Sequence, residues 1–357
     1  MGAVGAPAVI LDDSNARATV DPAGALRDVE GTPDQWNAAR DVADVRLDLH
    51  GIDRIIVLGM GGSGISGDVV AAIAEPALDI PVTTHKGYGL PAGAGPSTLV
   101  IAASYSGNTE ETLSGVDAAR ATGSRLFAVT SGGALANVAT QADAPHVIVP
   151  GGGQPRHSLG KLVVPMLVAL GLDADIDAAV AEQQRVLQAW GSAVGIAENR
   201  GKQIGAQSAR GGVVHTYGPL GLSALAALRL KCQYNENAKL PAYANAVPEL
   251  CHNEVVGWED TTRAAPDAGI VWFADADDHP RDALRVEVLS GIVSGAAAWQ
   301  ETIEASGDCR LARLASLLLS ADLVSVYAAL ARRIDPTPIR SITTLKDALA
   351  NAEQGQS

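Results

Sequence analysis

The sequence predicts an α/β protein with two doubly wound parallel-sheet domains, each a three-layer sandwich of the flavodoxin-like kind. Short β-branched runs alternate with alanine-rich helical stretches, which is the pattern of a parallel sheet with helices on both faces. The alternation of strands and helices begins twice. Gly212–Gly218 is a predicted strand that ends in glycine, as Arg54–Gly59 is. This spacing indicates an internal duplication.

The predicted elements follow in chain order. The first half contains strands at Arg54–Gly59, Pro81–His85, Thr98–Ser104, Arg125–Thr130 and His146–Val149, and helices at Ser63–Ala74, Thr109–Thr122 and from Ala134. A helical region from Ser158 to about Ala197, broken near Gly171, follows. The second half contains strands at Gly212–Gly218 and Ile270–Ala274, a helix from Ser223 to about Tyr234, and a mostly helical stretch from Pro280 to about Ser306. We expect an N-terminal segment over 1–50, a first domain over 51–165, a helical linker over 166–197 and a second domain with a C-terminal helix over 198–357.

Composition excludes several classes of partner. The chain of 357 residues has 26 Lys and Arg against 40 Asp and Glu, a formal charge of −14. Such a charge disfavours nucleic acid and anionic membranes. The three cysteines form no CxxC pair, so neither a disulfide framework nor a metal site is expected. The apolar run 163–172 is too short to span a bilayer, and the N-terminus has no basic leader. We expect a cytoplasmic enzyme or sensor.

A glycine-rich turn follows the first strand. Gly59-Met60-Gly61-Gly62-Ser63-Gly64 allows close backbone approach and exposes the amides of a new helix. Its spacing matches the dinucleotide fingerprint, but a nicotinamide cofactor would need an acidic residue at the end of the next strand. His85-Lys86 stands there instead, which disfavours a dehydrogenase. A tight turn without a ligand is an equal alternative for this turn alone.

Hydroxyl groups cluster at the end of another predicted strand. Ser104, Ser106 and Thr109 lie where an open parallel sheet binds ligands, beside the start of a helix. Three hydroxyls suit the oxygens of a phosphomonoester. Ordinary helix capping explains Asn108–Glu111, but it does not explain the two serines. The matching strand of the second half ends in Asp275–Asp278, with three carboxylates that repel an anion, so only the first half is predicted to hold phosphate.

GMGGSG followed by SxSGxT resembles the sugar isomerase (SIS) domain. The resemblance implies a phosphosugar substrate with its phosphate at Gly62, Ser63, Ser104, Ser106 and Thr109, and two SIS-like halves resemble the phosphoglucose isomerase superfamily. Further segments are Gln154–Gly160, Lys231–Ala242, Cys251–Trp258 and Leu345-Lys346. Together they resemble the bifunctional phosphoglucose/phosphomannose isomerases of archaea and some bacteria, over about residues 54–347.

The candidate catalytic residues suit that chemistry. Aldose–ketose isomerisation moves a proton between C1 and C2 through an enediol, and Glu236 is the candidate base. Arg156 is the candidate partner of the enediolate oxygen. His252 and Lys346 are candidates for ring opening, since histidine exchanges protons near neutral pH. The resemblance implies the same four roles, no cofactor, and a homodimer in which His252 comes from the other subunit.

Alternatives stay open at this point. Glu236 would also fit a solvated helix end, Arg156 a loop charge and Lys346 a surface position, while Cys251-His252 lacks the second cysteine pair of a zinc deaminase. A non-catalytic SIS protein that senses phosphosugars needs the phosphate loop but not the catalytic set. An aminosugar-phosphate synthase would need a glutaminase domain, which the sequence lacks. The first half alone would also suit an arabinose 5-phosphate or hexulose phosphate.

Overall fold

Two parallel β-sheets organise the computed structural model, which describes residues 6–259 and 268–354. The first sheet has five strands in the order β2-β1-β3-β4-β5. They are β1 (Arg54–Leu58), β2 (Val82–His85), β3 (Thr98–Ser104), β4 (Arg125–Thr130) and β5 (His146–Ile148). This is the flavodoxin-like order, in which ligands bind beyond the carboxyl ends of the strands. The predicted fold class is confirmed.

The second sheet repeats the first with one strand fewer. Its order is β7-β6-β8-β9, with all neighbours parallel. The strands are β6 (Val214–Pro219), β7 (Ala242–Val247), β8 (Gly269–Ala274) and β9 (Trp299–Glu304). Since β6 takes the place of β1 and β8 that of β3, the two halves share a topology, as the internal duplication predicts.

Helices cover both sheets. They are α1 (Ala6–Asp12), α2 (Ser14–Val20), α3 (Ala25–Glu30), α4 (Thr32–Asp41), α5 (Gly61–Ala74), α6 (Glu110–Thr122), α7 (Gly133–Gln141), α8 (Leu159–Ala169), α9 (Ile176–Trp190), α10 (Arg200–Ser208), α11 (Leu222–Gln233), α12 (Pro280–Val293), α13 (Arg310–Ala331) and α14 (Arg340–Gln354). Helices α8 and α9 fall within the predicted helical region from Ser158 to about Ala197, and the interruption at 170–175 matches the predicted break near Gly171. Helix α9 ends at Trp190, earlier than predicted, and the linker bounds 166–197 stay a prediction.

The sequence prediction is wrong at the edges of the second sheet. The stretch from Pro280 to about Ser306 is not continuously helical, because α12 ends at Val293 and β9 follows, and the prediction contains no strand at β7. Both are edge strands. Position at an edge is not the whole reason, because β2 and β5 are also edge strands and were predicted. Three of the four residues of β2 are β-branched, against one of six in β7 and two of six in β9, so β7 and β9 lack the composition that identifies a strand. In β9 only Ile303 is fully buried, whereas all seven residues of β3 are.

Helix α13 is the central element that joins the two halves. It packs against α9, α10 and α11, and one hydrophobic core runs from Val57 and Ile101 in the first sheet through Leu314 to Val271 in the second. By length and composition α13 could cross a membrane, but its apolar window is entirely buried within the described residues. A core helix of a folded domain passes the same test. The sequence prediction does not include this helix.

The N-terminal helices are packed parts of the fold. Ile10 and Leu11 of α1 are buried in one cluster with Leu323 of α13. Trp36 of α4 is 1% exposed and lies against α8 at Gly160, where an added Cβ would come within 2.2 Å of the indole. The N-terminal segment therefore covers α8 and α13, close to the turn that precedes α8.

Candidate active site

The hydroxyl cluster lies at the carboxyl end of β3. Ser104 is the last residue of β3 and is buried, Ser106 is exposed and Thr109 is half-buried. The Ser104 and Thr109 hydroxyl oxygens are 2.9 Å apart, and Ser104 Oγ also accepts from the amide of Gly107. The structure thus brings all three predicted hydroxyl residues into one loop.

The capping explanation for this loop does not match the contacts. Thr109 occupies the N-cap position of α6, but its hydroxyl contacts Ser104 and makes no capping hydrogen bond. Asn108 Oδ1 accepts from the amide of Ala134 in α7. Among the residues that the structure describes, no side chain therefore caps the first turn of α6, and its amides can serve an anion.

Gly107 lets this loop turn sharply. Its φ is +69°, and a Cβ there would lie 1.8 Å from the carbonyl oxygen of Gly132. A positive φ is unfavourable for residues with a Cβ, and the contact leaves no room for one. Glycine is thus required for Ser104 and Thr109 to face each other.

The glycine-rich turn connects the hydroxyl cluster to Arg156. Helix α5 begins at Gly61, two residues before the predicted start, and has no side-chain cap. Ser63 Oγ accepts from the amide of Tyr105 at 3.2 Å. An added Cβ on Gly62 would lie 3.3 Å from Arg156 Cα. The first turn of α5 therefore touches both the hydroxyl loop and the short helix Pro155–His157.

Arg156 is buried, with 2% of its side chain exposed, and its guanidinium meets the carboxylate of Glu236. Arg156 Nη1 lies 3.7 Å from Glu236 Oε2. Arg156 Nε donates to Asn237 Oδ1 at 2.7 Å, and Nη2 donates to the carbonyls of Pro336 and Thr337, both at 2.9 Å. Burial lowers the pKa of Arg156, and Glu236 opposes that change. The structure thus pairs two residues that are 80 positions apart in sequence.

A π-helical turn, Tyr234–Ala238, presents Glu236 at the end of α11. Lys239 ends this turn with φ +51°, and its Nζ donates to the carbonyls of Glu236 at 2.7 Å and Pro336 at 2.9 Å. Desolvation, together with the charge of Arg156, lowers the pKa of Lys239 to about 8. The lysine therefore ties the Glu236 turn to the segment before α14.

A cavity opens beside Glu236. Its volume is about 660 Å³, large enough for a hexose phosphate. The Glu236 turn forms one wall and the segment leading into α14 forms the other. The lining residues are Asn235, Glu236, Lys239, Leu240, Pro241, Ile334, Asp335, Pro338, Ile339, Arg340, Ser341 and Ile342.

A buried ion pair supports the Arg156 turn. Arg229 and Asp322 form two hydrogen bonds of 2.8 Å, with side chains 2% and 8% exposed. Arg229 Nη2 also donates to the carbonyl of Arg156 at 2.6 Å, and Gln233 donates to Asp322. A charge-assisted network of this kind holds its members rigidly. It therefore fixes the backbone from which the Arg156 side chain extends.

His157 is a buried neighbour of Arg156. Its Nε2 lies 3.2 Å from Asn237 Oδ1. Burial and the charge of Arg156 lower the pKa of His157 to about 3, so the imidazole is neutral at ordinary pH. Its Nε2 donates to Asn237 Oδ1, so this nitrogen serves the Arg156 turn.

The second half carries a carboxylate where the first half carries the hydroxyl loop. Asp278, beyond the end of β8, accepts from Ser223 Oγ in α11 at 2.8 Å and from the amide of Asp275 at 2.8 Å. Arg313 pairs with both Asp275 and Asp277. A carboxylate of the chain itself therefore takes the donors of this loop, and phosphate binding by the first half alone stays a prediction.

The structure places His252 and Lys346 on two different surface elements. His252 is exposed on the turn Glu249–His252, and Lys346 is exposed on α14. Within the two described stretches of the chain, neither makes a hydrogen bond or ion pair with Glu236 or Arg156. In the same part of the chain, no group of three or more His, Cys, Asp or Glu side chains is arranged to hold a metal ion.

The sequence prediction does not include the supporting residues. Asn237 and Lys239 fall inside the recognised segment 231–242, yet the segment alone assigns no role to them. The sequence could have pointed to Asp322, because it is the only charged residue between Leu314 and Ala331. A lone charge in a buried apolar helix requires a partner. Its partner, Arg229, lies 93 residues away, so spacing does not reveal the pairing.

Comparisons with known proteins define the class. A SIS domain model matches residues 48–151, and the model of the bacterial phospho-glucose isomerase C-terminal SIS domain matches residues 197–349. A hypothetical protein of Thermus thermophilus has a similar structure, with a TM-score of 0.69 at 15% identity, covering 95% of this chain and 94% of the other. That likeness shows the fold alone. The chain is thus a double SIS-domain protein.

Relatives of known name narrow the class to one family. The bifunctional phosphoglucose/phosphomannose isomerase of Caldicellulosiruptor bescii is 36% identical, over 90% of this chain and 98% of its own length. The protein of the same name from Aquifex aeolicus is 35% identical over 86% of this chain and 93% of its own. The chain therefore belongs to the bifunctional phosphoglucose/phosphomannose isomerase family, as the sequence resemblance predicted.

Proposed function

We propose that this protein is an aldose–ketose isomerase that interconverts glucose 6-phosphate, and also mannose 6-phosphate, with fructose 6-phosphate. Membership of the family supports the substrate class. The observation that carries the proposal is the 3.7 Å pair of Glu236 and Arg156, set beside the glycine-rich turn at Gly62. The carboxylate of Glu236 can act as an acid–base group, and the guanidinium of Arg156 is a fixed positive charge. Arg156 lies next to the glycine-rich turn, which is proposed to bind the phosphate.

The phosphate binds in the first half of the chain. The hydroxyls of Ser63, Ser104, Ser106 and Thr109 and the amides at Gly62 and at the start of α6 supply its donors. This arrangement anchors the far end of the sugar, so that its C1 and C2 reach the Glu236 turn. Anchoring a remote group lowers the barrier because it removes translational freedom at the reacting carbons.

Glu236 moves the proton between the two carbons. It removes the C2 proton of the aldose and returns it to C1, and the hydroxyl proton of O2 passes to O1. The oxygens of the enediolate between these steps carry negative charge next to Arg156. Glucose 6-phosphate and mannose 6-phosphate differ only at C2, so loss of that proton produces the same enediolate from both. All transfers use side chains, and the reaction as proposed requires no cofactor.

His252 and Lys346 open the sugar ring, and a homodimer brings His252 to the site. His252 is exposed on its own subunit, which suits a residue delivered to another copy. Helix α14 likewise leaves Ile342, Leu345 and Leu349 exposed, an apolar stripe for a second copy to cover. We place this dimer in the cytoplasm.

The test is an isomerase assay in both directions with the three hexose phosphates. Glu236→Gln keeps the shape of the side chain and removes the base, so we expect turnover to fall by about 10²–10⁴-fold while fructose 6-phosphate still binds. Glu304→Gln, an exposed glutamate on β9, serves as the matched control and keeps full activity. Ligand binding without turnover by the wild type would instead support a phosphosugar sensor, and full activity of Glu236→Gln would remove Glu236 from its role.

A further inference from the structure

A second group of polar side chains lies outside the Glu236 site, where the turn Glu254–Trp258 meets β6 and β7. Glu254 Oε1 lies 2.5 Å from Tyr217 Oη and 3.3 Å from His215 Nδ1, and those two atoms are 3.0 Å apart. Glu254 Oε2 accepts from Asn245 Nδ2 at 2.6 Å. One carboxylate on the turn thus binds three side chains on two strands.

Aromatic rings enclose the same group. The ring of Trp258 meets His215 edge-on, with centroids 5.0 Å apart, and the ring of Tyr243 lies 6.0 Å from it. The side chains of His215 and Glu254 are only 21% and 29% exposed. Partial exclusion of water strengthens these polar contacts relative to an exposed ion pair.

The segment Glu249–Trp258 is therefore held on both sides of His252. On one side Leu250 is buried in a cluster with Tyr217. On the other side Glu254 makes the contacts described above. His252 stands between these anchors and is itself exposed. Because His252 is two residues from Leu250 and two from Glu254, these two contacts restrict the backbone that carries its side chain.

We propose that Glu254 is a positioning residue, which holds His252 in the orientation in which a second copy of the chain uses it for ring opening. The inference rests on the proposed function, because His252 has a task only if the protein opens a sugar ring. We call Glu254 with His215, Tyr217 and Asn245 the Glu254 clasp. It gives a role to the rest of the segment Cys251–Trp258, which the reaction itself does not use.

The carboxylate of Glu254 is ionised at neutral pH. Hydrogen bonding with His215, and then with Tyr217 and Asn245, lowers the pKa of Glu254 to about 2. Burial and the contact with Glu254 raise the pKa of Tyr217. The phenol therefore stays protonated and donates to an ionised carboxylate at neutral pH.

Ring opening can be measured apart from proton transfer. The α and β anomers of glucose 6-phosphate interconvert through the open chain, so NMR exchange between their signals reports ring opening without any C1–C2 step. We expect Glu254→Gln to lower enzyme-catalysed anomer exchange and isomerisation by the same factor, about tenfold for one lost charge-assisted hydrogen bond. Affinity for arabinonic acid 5-phosphate, an open-chain analogue of the enediolate, should be unchanged, whereas a general disturbance of the structure would weaken it.

A double-mutant cycle tests whether Glu254 acts through His252. In a His252→Ala background, adding Glu254→Gln should cause no further loss, because the group that it positions is gone. Glu301→Gln is the control: Glu301 is another partly buried glutamate bound by side chains of the second half, and it should stay within twofold of wild type. Tyr217→Phe removes one donor only, and it should lower anomer exchange less than Glu254→Gln; it keeps the proposal testable if Glu254→Gln does not fold.

The outcomes separate the two proposals. A wild-type protein that does not isomerise hexose phosphates overturns the proposed function. An active wild type in which Glu254→Gln and Tyr217→Phe keep full anomer exchange overturns the positioning role alone. So does a Glu254→Gln loss that multiplies with that of His252→Ala.

Discussion

Removing the charge of Asp322 should destabilise the protein strongly, because it leaves Arg229 charged and buried. Asp322→Asn keeps the size of the side chain but removes the counter-charge from a guanidinium that is 2% exposed and forms two 2.8 Å bonds with it. Breaking a buried pair from one side costs about 3–5 kcal/mol. We expect a loss of unfolding free energy in that range.

The corresponding change in melting temperature follows from chain length. For 357 residues, an unfolding entropy of about 2.1 cal/mol/K per residue totals about 0.75 kcal/mol/K. Each kcal/mol then lowers Tm by about 1.3 °C, so Asp322→Asn should lower Tm by about 4–7 °C. Differential scanning calorimetry measures this change, and urea unfolding gives the free energy.

An exposed ion pair provides the control for this measurement. Arg40 and Asp177 pair at the surface, with side chains 39% and 82% exposed, and such pairs contribute about 0–1 kcal/mol. Asp177→Asn should therefore stay within about 1 °C of wild type. If Asp322→Asn were as stable as Asp177→Asn, the network would not support the Arg156 turn as described, and the reasoning from burial would be refuted.

Three further changes have expected outcomes. Ser104→Ala should raise the KM for fructose 6-phosphate by about tenfold, the equivalent of one charge-assisted hydrogen bond, in steady-state assays; an unchanged KM would place the phosphate elsewhere. Gly107→Ala should lower both stability and phosphate affinity, since its Cβ would meet a carbonyl at 1.8 Å, and a normal Tm would contradict the close approach. Glu254 has its pKa lowered from 4.5 to about 2, so its contribution to stability is complete above about pH 4.5 and disappears as pH falls toward 2. The difference in unfolding free energy between wild type and Glu254→Gln should shrink over that window, and a constant difference would count against an ionised clasp.

The central strands were predictable because buried parallel strands are continuous apolar runs. β1 and β3 are almost wholly buried, and the sequence located them within one residue. β7 and β9 contain few β-branched residues, unlike the edge strand β2, which the sequence did locate, so their composition did not reveal them. Composition does not identify α13 either. Its 22 mostly apolar residues would suit a membrane-spanning helix as well as the buried core helix that it forms.

The sequence pointed to the candidate catalytic residues, but not to the residues that hold them in place. The segments containing Arg156 and Glu236 stood out in the sequence, and the structure brings the two side chains together. Their supports are pairings over long separations, such as Arg229 with Asp322 and Glu254 with His215, which depend on the tertiary fold. The proposed place of His252 depends on a second chain, so one sequence read alone carries no geometric signal for it.

A crystal structure of Glu236→Gln with fructose 6-phosphate examines the proposed chemistry most directly. We expect the phosphate within hydrogen-bond distance of Ser104 and Thr109, the C1 and C2 carbons about 3–3.5 Å from the residue 236 amide, and the O2 oxygen near Arg156. A phosphate bound away from the hydroxyl loop, or a sugar whose reacting carbons face away from residue 236, would contradict it.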